Sequence, residues 1–212
     1  MISCSAATLY GILDLGYVDA SAAPQMTREM LGGGVDLIQL RAKNHSLGAI
    51  AQLGRELHNI TADAGVPLVI NDYPEVARDI GAEGVHVGQD DQSIAGVRGV
   101  TAGDCFIGKS THSVAQAEAA AAEGADYIGF GPLFATPTKP DYVPIGIDDV
   151  ARVHELVRLP IFCIGGVKFE NLAQLIAAGA RRVVIVSGLL QAPDVANYAR
   201  ACKTLLERGR ES

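Results

Sequence analysis

Four times along the chain a glycine closes a helical stretch and an apolar run begins within a few residues. The copies are Gly34-Val35-Asp36-Leu37-Ile38, Gly81-Ala82-Glu83-Gly84-Val85, Gly124-Ala125-Asp126-Tyr127-Ile128 and Gly179-Ala180-Arg181-Arg182-Val183. Glycine suits the left-handed residue that ends a helix, so each copy reads as a helix-to-strand joint. The apolar runs predict strands at Thr8–Leu13, Val35–Arg41, Pro67–Ile70, Gly84–Val87, Cys105–Gly108, Tyr127–Phe130, Ile161–Ile164 and Val183–Val186. The joints therefore precede the second, fourth, sixth and eighth strands, a repeat of about two βα units. The runs are mostly apolar on both faces, as in a parallel sheet covered on both sides.

Helical stretches lie between them. Leu47, Ile50, Leu53, Leu57 and Ile60 mark one face of a helix over Leu47–Ala64. Ser113–Glu123, Ile147–Val157, Glu170–Ala178 and Val195–Glu207 behave similarly, Asn71–Ile80 makes a shorter helix, and Asp91–Gly103 is the least periodic. Eight strands alternating with helices predict an α/β chain, a single-domain (β/α)8 TIM barrel over residues 1–212. A doubly wound open sheet is the alternative, but no G-x-G-x-x-G turn follows the first strand. No linker or break in composition divides the chain.

The chain is 49% hydrophobic, and at 212 residues it can bury a core without disulfides or a structural metal. A formal charge of −7 with no basic run argues against nucleic acid or an anionic membrane as partner. Small anionic substrates are compatible if the few Lys and Arg residues converge. Cys4, Cys105, Cys163 and Cys202 are far apart and form no C-x-x-C pair, so they read as thiols in a reducing compartment. Neither a signal peptide nor a run of roughly 18 apolar residues is found. The expectation is a soluble, cytoplasmic protein; a homo-oligomer is compatible with the sequence, which fixes no oligomeric state.

In such a barrel chemistry belongs at the C-terminal strand ends, and polar residues gather there. The second strand ends in Gln39-Leu40-Arg41-Ala42-Lys43, whose alternation points Gln39, Arg41 and Lys43 to one side. Two cations there suit an anionic ligand. The third strand ends in Ile70-Asn71-Asp72 and the fourth in His86-Val87-Gly88-Gln89-Asp90-Asp91. Asp72 and Asp91 are candidate ligands of a hard cation such as Mg2+, which takes few carboxylates and completes its shell with water and substrate phosphate. The competing role for either is helix capping, which is the preferred reading of Asp90. His86, inside an apolar strand, reads as a hydrogen-bonded core residue. After the fifth strand, Ser110 suits a phosphate oxygen, Ser113 a helix N-cap, and His112 either a general base or a helix-start residue.

The sixth strand runs into Gly131-Pro132-Leu133-Phe134-Ala135-Thr136-Pro137-Thr138-Lys139. Thr136, Thr138 and Lys139 place two hydroxyls and an ammonium within four residues, a set suited to phosphate. Gly165-Gly166 after the seventh strand and Ser187-Gly188 after the eighth fit a phosphate cradle of bare N–H groups. Two anion sites follow on one rim. One joins Arg41, Lys43, Asp72, Asp91 and a metal; the other joins Thr136, Thr138, Gly166 and Ser187, with Lys139 between them.

Those segments, in that order, resemble the thiamine-phosphate synthase family over nearly the whole chain. The resemblance implies transfer of a hydroxymethylpyrimidine group from its diphosphate to hydroxyethylthiazole phosphate, with Mg2+ and release of pyrophosphate. It implies Gln39 at the aminopyrimidine, and Arg41, Lys43, Asn71, Ser110 and Lys139 at the diphosphate. Asp72 and Asp91 would bind Mg2+, while Thr136, Thr138, Gly166, Val186 and Ser187 would hold the thiazole phosphate. Arg41, Lys43, Ser110 and Lys139 are the catalytic candidates, in a dissociative route where pyrophosphate leaves first. Two positions depart from the family pattern: Tyr73 stands where Arg is usual, and Leu13 precedes Asp14 where Thr is common. Lys109 is a candidate to restore the missing cation. Two alternatives share the barrel: a thiazole tautomerase using His112, and a non-catalytic barrel that binds a phosphorylated metabolite.

Overall fold

The structure is a computed structural model and describes residues 4–136 and 143–211. Among these, β1 (Leu9–Asp14), β2 (Leu37–Arg41), β3 (Leu68–Asn71), β4 (Gly84–Val87), β5 (Phe106–Thr111), β6 (Tyr127–Phe130), β7 (Ile161–Cys163) and β8 (Val183–Ile185) pair in sequence order, and β8 closes on β1. All pairings are parallel. The helices are α1 (Ala23–Gly32), α2 (Leu47–Asp63), α3 (Pro74–Ile80), α4 (Ile94–Val100), α5 (Val114–Ala122), α6 (Val150–Leu156), α7 (Phe169–Ala177), the single-turn α8 (Ser187–Leu190) and α9 (Val195–Glu211). The expected TIM barrel is the observed fold.

The repeat has a physical basis. Gly34, Gly81, Gly124 and Gly179 take φ of +88°, +75°, +89° and +102°, a region costly for any residue with a Cβ. Two residues after each of the first three glycines, a carboxylate at the foot of an even-numbered strand accepts a backbone N–H from the preceding strand. Asp36 accepts from Thr8 (2.8 Å) and Leu9 (2.9 Å) and pairs with Lys203 of α9. Glu83 accepts from Leu68 (2.8 Å) and meets His58 of α2; Asp126 accepts from Ile107 (2.7 Å) and meets Arg98 of α4. Each carboxylate thus ties two strands and a helix at the N-terminal end of the barrel. The fourth copy has Arg181 in this place, and there β7 and β8 share one registered pair, Cys163 with Val183.

Side-chain alternation divides the core. An outer layer, with Leu40, Ile70, Val85 and Ile128, packs under the helices. An inner layer fills the barrel with Tyr10, Ile12, Leu37, Val69, Tyr127, Phe162 and Val184, and Cys4 and Ala7 join it just before β1. The four cysteines are buried thiols; burial pushes Cys4 and Cys105 up to about 11 and Cys163 and Cys202 up to about 12. No described helix is long and apolar enough to cross a membrane.

Several boundaries differ from the sequence expectation. Helix α1 was not anticipated: it opens with a proline in its first turn, and buried Thr27 returns its hydroxyl to the Ala23 carbonyl (2.9 Å). Strand β5 continues past Gly108 to Thr111, because Thr111 is buried with its hydroxyl on Gly129 O (2.9 Å). Helix α3 starts at Pro74, since Asn71 ends β3 and Asp72 turns the chain at φ +67°. Helix α4 starts at Ile94 with Ser93 as its cap, accepting from the Gly96 N–H at 3.2 Å. The cap expected of Asp90 is therefore supplied by Ser93.

Candidate active site

All eight strand ends meet at one cavity at the C-terminal mouth of the barrel. Of the expected site residues, Gln39, Arg41, Lys43, Asn71, Asp72, Asp91, Ser110, Thr136, Gly166, Val186 and Ser187 line it. Thr138 and Lys139 lie outside the described residues.

On the β2–β4 side the cavity wall is charged. Asp14, ending β1, lies opposite Arg41 in the strand register. Its Oδ2 accepts from Arg41 Nη1 at 2.6 Å, and its Oδ1 accepts the Gly16 N–H at 2.9 Å. The guanidinium is thereby aimed before any ligand arrives. Lys43 Nζ stands 3.4 Å from Asp72 Oδ2. Burial raises the Asp72 carboxyl; Lys43 opposes this, and Asp91, within hydrogen-bonding reach, adds to it. Two acids held together in this way are natural partners for a cation.

Neither acid caps a helix: Asp91 Oδ2 turns back to accept the Gly88 N–H at 2.6 Å, and α3 has Tyr73 in the cap position. Among the described residues no cluster of three His, Cys, Asp or Glu side chains forms a ready metal cage. Two carboxylates fit an ion that takes its remaining oxygens from water and phosphate, as Mg2+ does.

Lys109 does not join this wall. Alternation along β5 sends Ser110 inward and Lys109 outward, where its ammonium meets Glu123 Oε2 of α5 at 2.8 Å. The position of Tyr73 thus gains no charge from Lys109, and Tyr73 itself packs against the outer core.

Beneath the cavity runs a chain of buried polar groups. Gln39 Nε2 donates to Tyr10 Oη, which is 3.1 Å from Tyr127 Oη. Tyr127 Oη lies 3.0 Å from His86 Nδ1, and His86 Nε2 lies 2.9 Å from Ser110 Oγ. Gly108 makes room for it, since a Cβ there would fall 2.0 Å from the Tyr127 ring. Burial pushes both phenols well above their ordinary value, so both remain hydroxyls. His86 is, as expected, a hydrogen-bonded interior residue, and it also borders the cavity.

The opposite wall is built by backbone. Gly165 and Gly166 take φ +93° and +65°. A Cβ on Gly165 would meet Pro132 Cα at 2.4 Å, and one on Gly166 would meet Ala135 O at 2.5 Å. The glycines let the loop after β6 lie against that after β7, where Leu133 and Phe134 donate to Ile164 O and Gly165 O at 2.9 Å each. Thr136, Gly166 and Ser187, the first residue of α8, border the cavity on this side. His112 also borders it, with Nδ1 at the Gly131 carbonyl and its backbone N–H on Gln116 Oε1 (2.7 Å). Ser113 caps α5 as expected.

Asp14 and the Tyr10–Tyr127 pair were not assigned to the site from the sequence. Asp14 had a signal, a carboxylate ending the strand beside Arg41. The tyrosines had none, being aromatic residues in apolar strands.

Comparison with known proteins agrees with this geometry. Residues 9–189 match the sequence model of the family described as thiamine monophosphate synthase. The thiamine-phosphate synthase of Chloroflexus aurantiacus is 38% identical over 204 residues, 96% of this chain and 94% of its own. That of Thermus thermophilus is 41% identical over 181 residues, covering 85% and 87%. Among solved structures, a thiamine phosphate pyrophosphorylase from Pyrococcus furiosus superposes with a TM-score of 0.88 at 27% identity, covering 97% of this chain and 98% of that one. A 3-hexulose-6-phosphate synthase from Salmonella typhimurium shares the fold alone, with a TM-score of 0.70 at 17% identity. The chain belongs to the thiamine monophosphate synthase family.

Proposed function

We propose that this chain is a thiamine-phosphate synthase, a transferase of thiamine biosynthesis that joins hydroxymethylpyrimidine diphosphate to hydroxyethylthiazole phosphate and releases pyrophosphate. One observation carries the reading: Arg41, Lys43, Asp72 and Asp91 converge on one side of a cavity whose other side holds Thr136, Gly166 and Ser187. On this reading the diphosphate takes the first side and the monophosphate the second, with the pyrimidine between them.

The reaction asks little of the protein in covalent terms. Arg41, aimed by Asp14, and Lys43 neutralise the diphosphate and stabilise charge as it moves onto the leaving group. Asn71 and Ser110 position the same group, and Gln39 orients the aminopyrimidine. Ile12, Ile164 and Val184 give the cavity an apolar lining that limits water at the pyrimidine methylene carbocation left when pyrophosphate departs. Asp72 and Asp91 would hold Mg2+, which when bound adds positive charge beside the pyrophosphate. Thr136, Gly166, Val186 and Ser187 hold the thiazole phosphate, so that its ring nitrogen approaches the pyrimidine methylene. Thr138 and Lys139, outside the described residues, enter by resemblance alone, as a hydroxyl and a cation.

The tautomerase and binding-only alternatives are not favoured, because an isomerase or a sensor has no use for the diphosphate wall. The test is an assay with both substrates and Mg2+. Formation of thiamine phosphate with one pyrophosphate per turnover is expected, whereas thiazole isomerisation without coupling would overturn the reading.

A further inference from the structure

We infer that the buried chain Gln39–Tyr10–Tyr127–His86–Ser110 is polarised in one direction and fixes the Ser110 hydroxyl as a hydrogen-bond donor into the cavity. Tyr10, Tyr127 and His86 are then positioning residues for the reaction proposed above, on which the kinetic part of this inference rests.

Counting hydrogens gives the direction. The Gln39 amide nitrogen has only hydrogens to offer, so Tyr10 Oη accepts from it. Tyr10 owns one hydroxyl hydrogen, and its other partner among the described residues is Tyr127 Oη, so it donates there. Tyr127 must then donate to His86 Nδ1, which has to be the bare nitrogen of the ring. The ring hydrogen sits on Nε2 and is given to Ser110 Oγ. Ser110, accepting from the ring, keeps its own hydrogen for a group in the cavity it borders.

Other protonation patterns fail the same count. A doubly protonated ring would donate to Tyr127, Tyr127 to Tyr10, and Tyr10 would face two donors with no acceptor for its own hydrogen. The reverse polarity would need the Gln39 carbonyl, rather than its NH2, at Tyr10. The burial of both phenols supports the count, because neither hydroxyl is lost as a phenolate.

The chain ends suit the chemistry. With its NH2 engaged, Gln39 keeps its carbonyl as an acceptor, the complement of an exocyclic amine on a pyrimidine. Ser110 offers a donor where negative charge grows on a departing diphosphate oxygen. Aligned donors polarise one another, so a hydroxyl at the end of such a chain donates more strongly than an isolated serine.

The experiment has two arms. In protein carrying 15N-labelled histidine, with His86 assigned by the signal lost in His86→Gln, Nε2 should carry hydrogen and Nδ1 should not. Hydrogen on Nδ1, or on both nitrogens, overturns the inference. In the second arm, Tyr127→Phe and Tyr10→Phe interrupt the chain without touching the cavity wall. Each should lower kcat with KM for the thiazole phosphate unchanged: Tyr127→Phe by up to about tenfold, the ceiling set by one transition-state hydrogen bond at Ser110, and Tyr10→Phe by less, because Tyr127 still donates to His86. Unchanged kcat in both variants, each folded by circular dichroism, also overturns it. The tautomer is read without substrate, so failure of the reaction and failure of the polarised chain are separately visible.

Discussion

Replacing Asp14 with Asn should expose how much of the site's order is set before substrate binds. The carboxylate and the Arg41 guanidinium are 2.6 Å apart, and their side chains are only 5% and 18% exposed. At an effective dielectric of about 20 and a charge separation of about 4 Å, their attraction is roughly 4 kcal/mol. Removing one partner of a fully buried pair costs about 3–5 kcal/mol; the wetter Arg41 brings this down to about 2 kcal/mol. Asn keeps an oxygen for the Gly16 N–H, so the turn after β1 survives. For a chain of this size about 2 kcal/mol corresponds to a fall in Tm of roughly 4–8 °C. Differential scanning calorimetry gives that number directly. Pyrophosphate with Mg2+ should narrow the gap, because the bound anion takes over the role of Asp14. The double variant Asp14→Asn/Arg41→Met removes the orphaned charge and should recover part of the lost stability while remaining inactive. A single variant melting within about 1 °C of the parent, or a double variant melting below the single one, would refute the reasoning.

Three further outcomes follow from other parts of the molecule. Asp91→Asn should raise the Mg2+ concentration needed for half-maximal turnover by about tenfold or more, the scale for losing one of two charged ligands; an unaltered metal titration would remove Asp91 from the metal site. Gly166→Ala places a Cβ 2.5 Å from Ala135 O at φ +65°, so it should displace Thr136 and raise KM for the thiazole phosphate more than KM for the pyrimidine diphosphate. Equal KM changes would dissociate the glycine from that wall. Burial alone would raise the Asp36 carboxyl, but the Leu9 N–H, Lys203 and the Thr8 N–H outweigh it and hold it below its usual value. Its stabilisation is therefore complete above the unfolded-chain value of about 4 and fades as pH falls through the lower folded value. Melting curves of Asp36→Asn should lie below the parent at neutral pH and converge with it in acid; a gap independent of pH would refute the linkage.

The barrel was legible because its strands are continuous apolar runs and its helix ends carry glycines at a fixed distance from them. Where polar side chains are satisfied inside the protein, that signal fails. Thr27 disguised α1, although its hydroxyl is spent on the helix's own backbone. Lys109, Ser110 and Thr111 gave the end of β5 the look of a loop, although one pairs with a helix, one with His86 and one with Gly129. Parity alone would have separated Lys109 from Ser110, since neighbours on a strand face opposite ways. The charged wall was legible because Gln39, Arg41 and Lys43 alternate. Its anchor, Asp14, needed the register between β1 and β2, which local sequence does not contain. The tyrosine–histidine chain was hidden for the same reason: its members come from β1, β4 and β6 and meet only when the sheet closes.

The three carboxylates at the foot of the barrel act as staples around a hoop, and the fourth joint has none. Where β7 meets β8, a single matched residue pair holds the ring shut. Amide exchange should enter the hoop first at that gap. The segments carrying Gly166 and Ser187 leave these two strands, so opening of the ring at that gap would be felt directly in the cavity wall that they form.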